Sequence, residues 1–318
     1  MISRRLLRVK ALQILYAYRT SEGDNLQKTE KELLFSIEKS YDLYHLMLLL
    51  PIILADYADQ RIQIARAKYF PTEEEANPNT RFVDNRLING LREHQPFNRY
   101  LESRKLNWVK HEELIKRLYR ELLEWPVYID YMGAAQDSFQ HDRLFLIRMI
   151  TDFLPDHEML NQILEENSIY WNDDIEFSSS MVVKTLERWK ENGSPKLLGM
   201  FKDEDDRVFV TQLLRHAIVH GPGYEELIRQ HTENWDYERL ALMDILIMQM
   251  AISEAVNFRN IPVKVTLNEY IDISKYYSTE KSNLFINGIL DKIFMRLKEE
   301  KKIIKTGRGL IGELNETA

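Results

Sequence analysis

The sequence predicts an all-α protein, on the basis of three observations. Glycine and proline number only 11 and 9 in 318 residues, so few residues break a helix. Charged residues make up 29% of the chain, and this combination favours long helices over many short strands. Apolar residues recur at helical spacing, and no stretch shows the strict alternation of a half-buried strand.

The first helix is predicted from Arg4 to Arg19. Its apolar stripe is formed by Leu7, Ala11, Ile14 and Tyr18, which helical spacing places on one side. The neighbouring face carries Arg4, Arg5 and Arg8. Guanidinium groups in these first turns can form forked hydrogen bonds with phosphates. A solvated helix face explains the same arginines equally well.

The middle of the chain is also predicted to be helical. Residues 28–68 form one long helix or two, with a kink at Pro51. The most apolar run, residues 43–58, is shorter than a membrane span and contains His45 and Asp56, so we expect a core helix. Helical patterns continue through residues 82–190, and residues 191–199 (ENGSPKLLG) form the clearest linker.

Several well-patterned helices follow the linker. One ends near His220, a short one covers residues 224–232, and a third covers residues 236–256. The third is apolar on nearly all sides, which is typical of the central helix of a core. Pro262 opens the next helix, and residues 280–300 form the last one before a basic tail.

Composition excludes several classes of protein. There is no cysteine, which excludes disulfides, cysteine-ligated zinc and thiol catalysis. The basic N-terminus lacks the apolar core and cleavage site of a signal peptide, so we expect a cytoplasmic protein without membrane association. The net charge of −7 argues against a uniformly basic surface but permits a local basic patch.

No motif in the chain supports catalysis or a cofactor. Gly307, Gly309 and Gly312 have the spacing G-x-G-x-x-G but lack the preceding strand of a dinucleotide site. His216 and His220 could share one helix face, yet no third metal ligand is evident. We therefore expect no catalytic residue, no metal site and no cofactor.

Four blocks of sequence carry a resemblance. They are residues 4–16 (RRLLRVKALQILY), 234–244 (NWDYERLALMD), 261–269 (IPVKVTLNE) and 285–292 (FINGILDK). In order and spacing they resemble the arginine-rich first helix, the central helix, the I-P-x-K-V-x-x-N-E stretch and the F-V-N-G-V-L-D-K signature of the NusB family. Three positions depart from the family pattern. Lys281 stands where many relatives carry an acidic residue, and Ile245 and Gln249 stand where arginines are common.

The resemblance implies a bundle of packed α-helices without catalytic activity. It implies a transcription antitermination factor that promotes ribosomal RNA transcription within the antitermination complex of RNA polymerase. The implied partners are the single-stranded boxA element of nascent RNA and NusE, which is also a small-subunit ribosomal protein. Arginines would hold phosphates in such a complex, and aromatic rings would stack on unpaired bases.

The resemblance also implies functional positions. The residues expected to bind RNA are Arg4, Arg5, Arg8, Lys281, Asn283 and Phe285. Tyr16 and Asp244 match positions at the partner surface. The aromatic residues among them could equally belong to the core. Gly288 is expected to allow close helix packing.

We expect four regions in the chain. They are a basic first helix (1–20), a helical insertion (21–200), a C-terminal helical bundle (201–300) and a flexible basic tail (301–318). Since nothing resembling a methyltransferase domain follows the bundle, a stand-alone factor is expected. The main alternative is a helical interaction scaffold without RNA binding. An enzyme within the insertion is a further alternative, which would require a pocket with convergent polar groups.

Overall fold

The computed structural model describes residues 1–21, 25–135, 137–232 and 240–311, and in these ranges the side chains of residues 280 and 281 are not described. Every regular element in these ranges is a helix. The prediction of an all-α protein is therefore confirmed, including for the middle of the chain that the resemblance does not cover.

The helices vary widely in length. In chain order they are α1 (Arg4–Thr20), α2 (Leu26–Arg66), α3 (Glu73–Ala76), α4 (Arg86–Arg92), α5 (Gln95–Arg104), α6 (Glu112–Glu124), α7 (Pro126–Gly133), α8 (Phe139–Arg148), α9 (Glu158–Asn167), α10 (Ile175–Arg188), α11 (Glu204–Val219), α12 (Gly221–His231), α13 (Leu242–Asn257), α14 (Val263–Tyr277) and α15 (Glu280–Glu299). A π-helical turn, Met149–Phe153, follows α8 directly.

The chain divides into two compact units. The first unit comprises Met1–Ile2 and Glu38–Met200, and the second comprises Ser3–Ile37 and the chain from Phe201 onwards. Helix α2 therefore contributes its first twelve residues to the second unit and the remainder to the first.

Helix α13 is the centre of the second unit. All twelve consecutive residues from Asp244 to Ala255 are buried, and α1, α11, α12, α14 and α15 all pack against the helix. This confirms the prediction from its apolar sequence, because a helix surrounded on all sides has no face left for solvent.

Helix α2 continues through Pro51 without interruption. Among the described residues it is the one helix that is long and apolar enough to cross a membrane, but 78% of its most apolar window is buried inside the protein. Leu43, Tyr44, Met47 and Leu50 are fully buried. This burial is that of a core helix, as the sequence predicts.

Tryptophans fix the core of the first unit. Trp108 donates its indole N–H to the carbonyl of Leu46 (3.1 Å), and Trp171 donates to that of Lys39 (2.7 Å). Trp189 lies so close to Gly90 that a Cβ there would come within 2.5 Å of its ring. The rings supply apolar area, while the indole N–H groups find partners within the core.

The beginning of the C-terminal tail is fixed to the end of α13. The Nζ of Lys305 donates to the carbonyls of Ala255 (2.8 Å) and Phe258 (2.9 Å). The amide of Thr306 donates to the carbonyl of Arg259 (2.9 Å). In this tail, for which the sequence predicts flexibility from residue 301, Lys305 and Thr306 donate to carbonyl groups at a helix end.

Candidate nucleic-acid interface

Helix α1 carries the predicted arginines and is held by its apolar stripe. Leu7, Ala11 and Ile14 are buried, and the helix packs against α11 and α13. Ser3 caps the helix, since its hydroxyl accepts a hydrogen bond from the amide of Leu6 at 3.2 Å. The arginines therefore occupy fixed positions at the beginning of α1.

Arg8 lies in the core of the second unit. Its side chain is only 4% exposed and forms two hydrogen bonds with the fully buried Glu254 of α13, at 2.7 and 2.8 Å. Thr266 (2.9 Å) and Tyr270 (3.2 Å) also donate to that carboxylate. Burial by itself lowers the pKa of Arg8, but the charge and hydrogen bonds of Glu254 outweigh burial and raise it above its ordinary value.

Arg4 and Arg5 remain partly exposed, with side chains 38% and 40% accessible. Arg4 donates to Asp206 at 2.8 Å and lies over the ring of Phe209. Arg5 donates to Glu269 (3.1 Å) and Asp272 (2.8 Å) of α14, and the hydrogen bond with Glu269 raises the pKa of Arg5. The pairs of Arg5 are partly exposed on both sides and such pairs are weak, so a phosphate can compete for Arg5. The Asp206 carboxylate is only 5% exposed, so Arg4 is held more firmly.

The carboxylate partners were missed by the sequence analysis. Glu254 offered a signal, because a glutamate within a helix that is apolar on all sides must find a cation or stay protonated. With that signal, Arg8 would have been the natural candidate for a core ion pair. The geometry thus separates the arginines, which the sequence placed on one face, into two partly exposed side chains and one buried side chain.

Most of the other predicted binding residues lie on α1 and in the first turns of α15. Gln13, three residues before Tyr16 on α1, donates to the hydroxyl of Tyr277 at 3.3 Å, and Tyr16 is 40% exposed. In the first turns of α15, Asn283 and Phe285 are half-buried. The side chain of Lys281, which is also predicted to bind RNA, lies outside the described residues.

Two predicted positions have surroundings that the sequence analysis did not anticipate. Asp244 is only 5% exposed, and its carboxylate accepts a hydrogen bond from the hydroxyl of Ser278, which gives it a structural contact. Gly288 is exposed, and a Cβ at that position would meet none of the described residues within 4 Å. The prediction that Gly288 allows close helix packing is therefore wrong for this chain.

The remaining motifs bring no catalytic group together. The rings of His216 and His220 stack with centroids 5.7 Å apart, and burial lowers the pKa of His216. Within the described ranges, no group of three or more metal-ligating side chains occurs. Gly309 packs against the carbonyl of Arg259, and Gly312 lies outside the described residues.

Comparison with known proteins decides the family. The sequence model described as "NusB family" matches residues 179–294. The transcription antitermination protein NusB of Salinibacter ruber is 38% identical over 111 residues, which are 35% of this chain and 69% of that protein. The protein of the same name from Methylacidiphilum infernorum is 35% identical over 121 residues, which are 36% of this chain and 85% of that protein.

The chain belongs to the NusB family. A third relative, the NusB protein of Chloroherpeton thalassium, is 37% identical over 103 residues, 32% of this chain and 49% of that protein. No solved structure is significantly similar to this one. The NusB family consists of non-enzymatic transcription antitermination proteins, so the role of the chain lies in transcription antitermination and not in catalysis.

The family match leaves most of the first unit unaccounted for. It begins inside α10 and ends inside α15, so residues 38–178 lie outside it. We propose that residues 21–200 are an insertion, with one change to its boundary. Residues 25–37 of that range belong to the second unit. That unit also contains α11 to α14, which the family match covers in full, whereas the end of α10 in the match belongs to the first unit.

Proposed function

We propose that this NusB-family protein binds boxA-type single-stranded RNA together with NusE and so promotes ribosomal RNA transcription as part of the antitermination complex. We place it in the cytoplasm. Membership of the family carries the proposal, because the relatives that define it are named for antitermination. The placement of Arg4 and Arg5 at the partly exposed start of α1 supports the RNA contact.

We assign the predicted residues to two contact areas. Arg4 and Arg5 form the first area. Tyr16 and the first turns of α15, with Asn283 and Phe285, form the second, to which Lys281 also belongs by its position in the sequence. Along α1 the two areas are about 18 Å apart, at 1.5 Å per residue over twelve residues, so one extended strand can touch both.

Arg8 has a different role in this proposal. Its guanidinium is occupied by Glu254 and closed to solvent, so it anchors α1 to α13 and thereby positions Arg4 and Arg5. Removal of Arg8 should therefore lower stability rather than remove one phosphate contact.

The alternative is a helical interaction scaffold that does not bind RNA. One observation favours it: each of the arginines 4, 5 and 8 is paired with a carboxylate of the same unit, which reduces the local positive charge. Salt dependence discriminates between the two functions. Binding to phosphates releases counterions and weakens as salt is added, whereas the scaffold would show no affinity for boxA RNA at any salt concentration.

The test is fluorescence anisotropy with a labelled boxA-type RNA and a scrambled RNA of equal length, each with NusE present. We expect tighter binding of the boxA RNA, with affinity falling linearly in a log–log plot against salt. Equal affinity for the two RNAs, or no binding of either, would contradict the proposal.

A further inference from the structure

A polar pocket of about 420 Å³ opens beside the start of α1. Arg4 forms part of its wall, and the turn after α13 contributes Phe258, Arg259 and Asn260. The remaining lining residues come from α11, from the end of α13 and from the C-terminal extension, and they are Asp205, Val208, Phe209, Gln212, Asn257 and Thr306. A volume of this size is within the range of small-ligand pockets.

The two arginines of the pocket differ in whether they have an ion-pair partner. Arg4 is paired with Asp206. Arg259 is exposed, and among the described residues no carboxylate lies within ion-pair distance of its guanidinium. Asp205 is exposed as well, so the pocket offers one uncompensated cation and one carboxylate.

The side chain of Asn257 also lines the pocket. Both hydrogens of the Asn257 amide are used, in bonds to the carbonyl of Ser253 (2.8 Å) and the hydroxyl of Tyr224 (3.2 Å). Its oxygen is thereby oriented as an acceptor. Phe209 and Phe258, with ring centroids 5.0 Å apart, also line the pocket.

The C-terminal extension builds part of this pocket. Residues 300–311 lie beyond the family match, which ends at residue 294. Lys305 donates hydrogen bonds to the carbonyls of Ala255 and Phe258, and the amide of Thr306 donates to the carbonyl of Arg259. A Cβ at Gly309 would come within 2.0 Å of the Arg259 carbonyl oxygen. The extension therefore fixes the turn that presents Arg259, and it does so with residues that the family match does not include.

We propose that this pocket binds one unpaired nucleotide of the RNA strand, whose base carries an exocyclic amino group. The inference rests on the proposed function and names one subsite for it. Arg259 would hold the phosphate, since guanidinium groups match phosphate geometry. Asp205 and the Asn257 oxygen would accept hydrogen bonds from the amino group, which uracil lacks.

The test combines protein variants with abasic substitutions at successive positions of the boxA-type RNA, measured by anisotropy with NusE present. Arg259→Ala should weaken binding about tenfold and reduce the log–log salt slope by about 0.7, because one phosphate contact is lost. Arg207→Ala is the matched control, since this exposed arginine of α11 lies outside the pocket. It should leave affinity and slope nearly unchanged.

Asp205→Ala should weaken binding at least tenfold, as expected for one hydrogen bond to a charged group. At a single RNA position, abasic substitution should cost clearly less in this variant than in the wild-type protein. Glu204→Ala, in the same helical turn but outside the pocket, should keep the full abasic penalty. Lys305→Met should weaken binding as Arg259→Ala does, whereas Lys302→Met, an exposed lysine of the same extension, should not.

The outcomes separate the two proposals. Two results would overturn the pocket proposal and leave the proposed function standing, provided that the wild-type protein binds boxA RNA. In the first, Arg259→Ala and Arg207→Ala have the same RNA affinity. In the second, abasic substitution at every RNA position lowers the affinity of Asp205→Ala as much as it lowers that of the wild-type protein. If the wild-type protein binds no RNA with NusE present, both fall. The RNA affinity of Lys305→Met is interpreted only if its circular dichroism spectrum shows that the variant is folded. If Lys305→Met does not fold, the variants of Arg259 and Asp205 alone test the pocket proposal.

Discussion

The two units of the molecule bury a carboxylate in similar ways, but the arginines that pair with the two carboxylates differ in exposure. In the second unit, Glu254 accepts two hydrogen bonds from Arg8 and one from the hydroxyl of Tyr270. In the first unit, Asp42 accepts two from Arg104 (3.0 Å each) and one from the hydroxyl of Tyr100 (2.9 Å). Arg8 is 4% exposed, however, whereas Arg104 is 31% exposed.

This difference in exposure determines how much stability is lost when one member of each ion pair is removed. A charge that loses its partner in a closed core has no access to water, and the energetic cost is several kcal/mol. A charge that is partly open to solvent regains hydration and costs less. The second unit therefore ties the beginning of α1, with Arg4 and Arg5, to α13 by a contact that tolerates little change.

The largest effect should come from breaking the deeper pair. Glu254→Gln should lower the free energy of unfolding by about 3–5 kcal/mol, because Arg8 is left buried without a counter-charge. The double variant Arg8→Met with Glu254→Gln should recover part of the loss. Amide hydrogen exchange in α13 measures both. A loss below about 1 kcal/mol would show that Arg8 reaches solvent in solution.

The equivalent change in the first unit should cost less. Asp42→Asn leaves the half-exposed Arg104 with water as an alternative partner, so we expect a loss of about 1–2 kcal/mol. Urea unfolding followed by tryptophan fluorescence reports on this unit, which contains Trp108, Trp125, Trp171 and Trp189. A loss equal to that of Glu254→Gln would remove the distinction between the two pairs.

The first unit should also respond to mild acid. Burial lowers the pKa of His45 from 6.5 to about 4, and its ring stacks on Tyr100 with centroids 3.9 Å apart. The unfolded chain takes up a proton near pH 6.5, whereas the folded protein does so only near pH 4, so stability is present above pH 6.5 and is lost as pH falls towards 4.

Between pH 7 and pH 5, the wild-type protein should lose about 2 kcal/mol more than the variant His45→Gln, which cannot titrate at this position. Other acid-sensitive groups are common to both proteins, so the difference isolates His45. Urea unfolding followed by tryptophan fluorescence at both pH values provides the measurement. Parallel losses in the two proteins would show that His45 is accessible to protons in the folded state.

An effect on stability of similar size is expected at Asp244, where the sequence predicts a partner contact. Asp244→Lys should cost about 2 kcal/mol, because it removes the acceptor for Ser278 and places a positive charge at the start of α13. Asp244→Asn keeps an acceptor and should be nearly neutral. If Asp244→Asn retains its melting temperature but loses NusE binding in a pull-down, the partner role predicted from the sequence is established despite the low exposure of this residue.

The sequence was sufficient for the fold class and for the central helix, because helical spacing and the run of apolar residues in α13 are local signals. It was not sufficient for the surroundings of single side chains. Arg5 and Arg8 are three residues apart on one helix, yet one is 40% exposed and the other 4%. The exposure of the two arginine side chains depends on their partners Glu269 and Glu254, which lie more than 200 positions away in the sequence. No local sequence pattern reveals these partners.

The exposure of Arg4 and Arg5, in contrast to the burial of Arg8, makes a direct test of RNA binding possible. The measurement is the salt dependence of boxA RNA affinity, with NusE present, for the wild-type protein and for the double variant Arg4→Ala with Arg5→Ala. We expect weaker binding and a log–log slope flatter by about 1.4, corresponding to two phosphates on a single strand. The double variant should also lose some stability, because Asp206 is only 5% exposed and loses its ion-pair partner, so its folding is checked by circular dichroism. An unchanged slope and affinity in a folded double variant would contradict the account and place any RNA contact elsewhere on the protein.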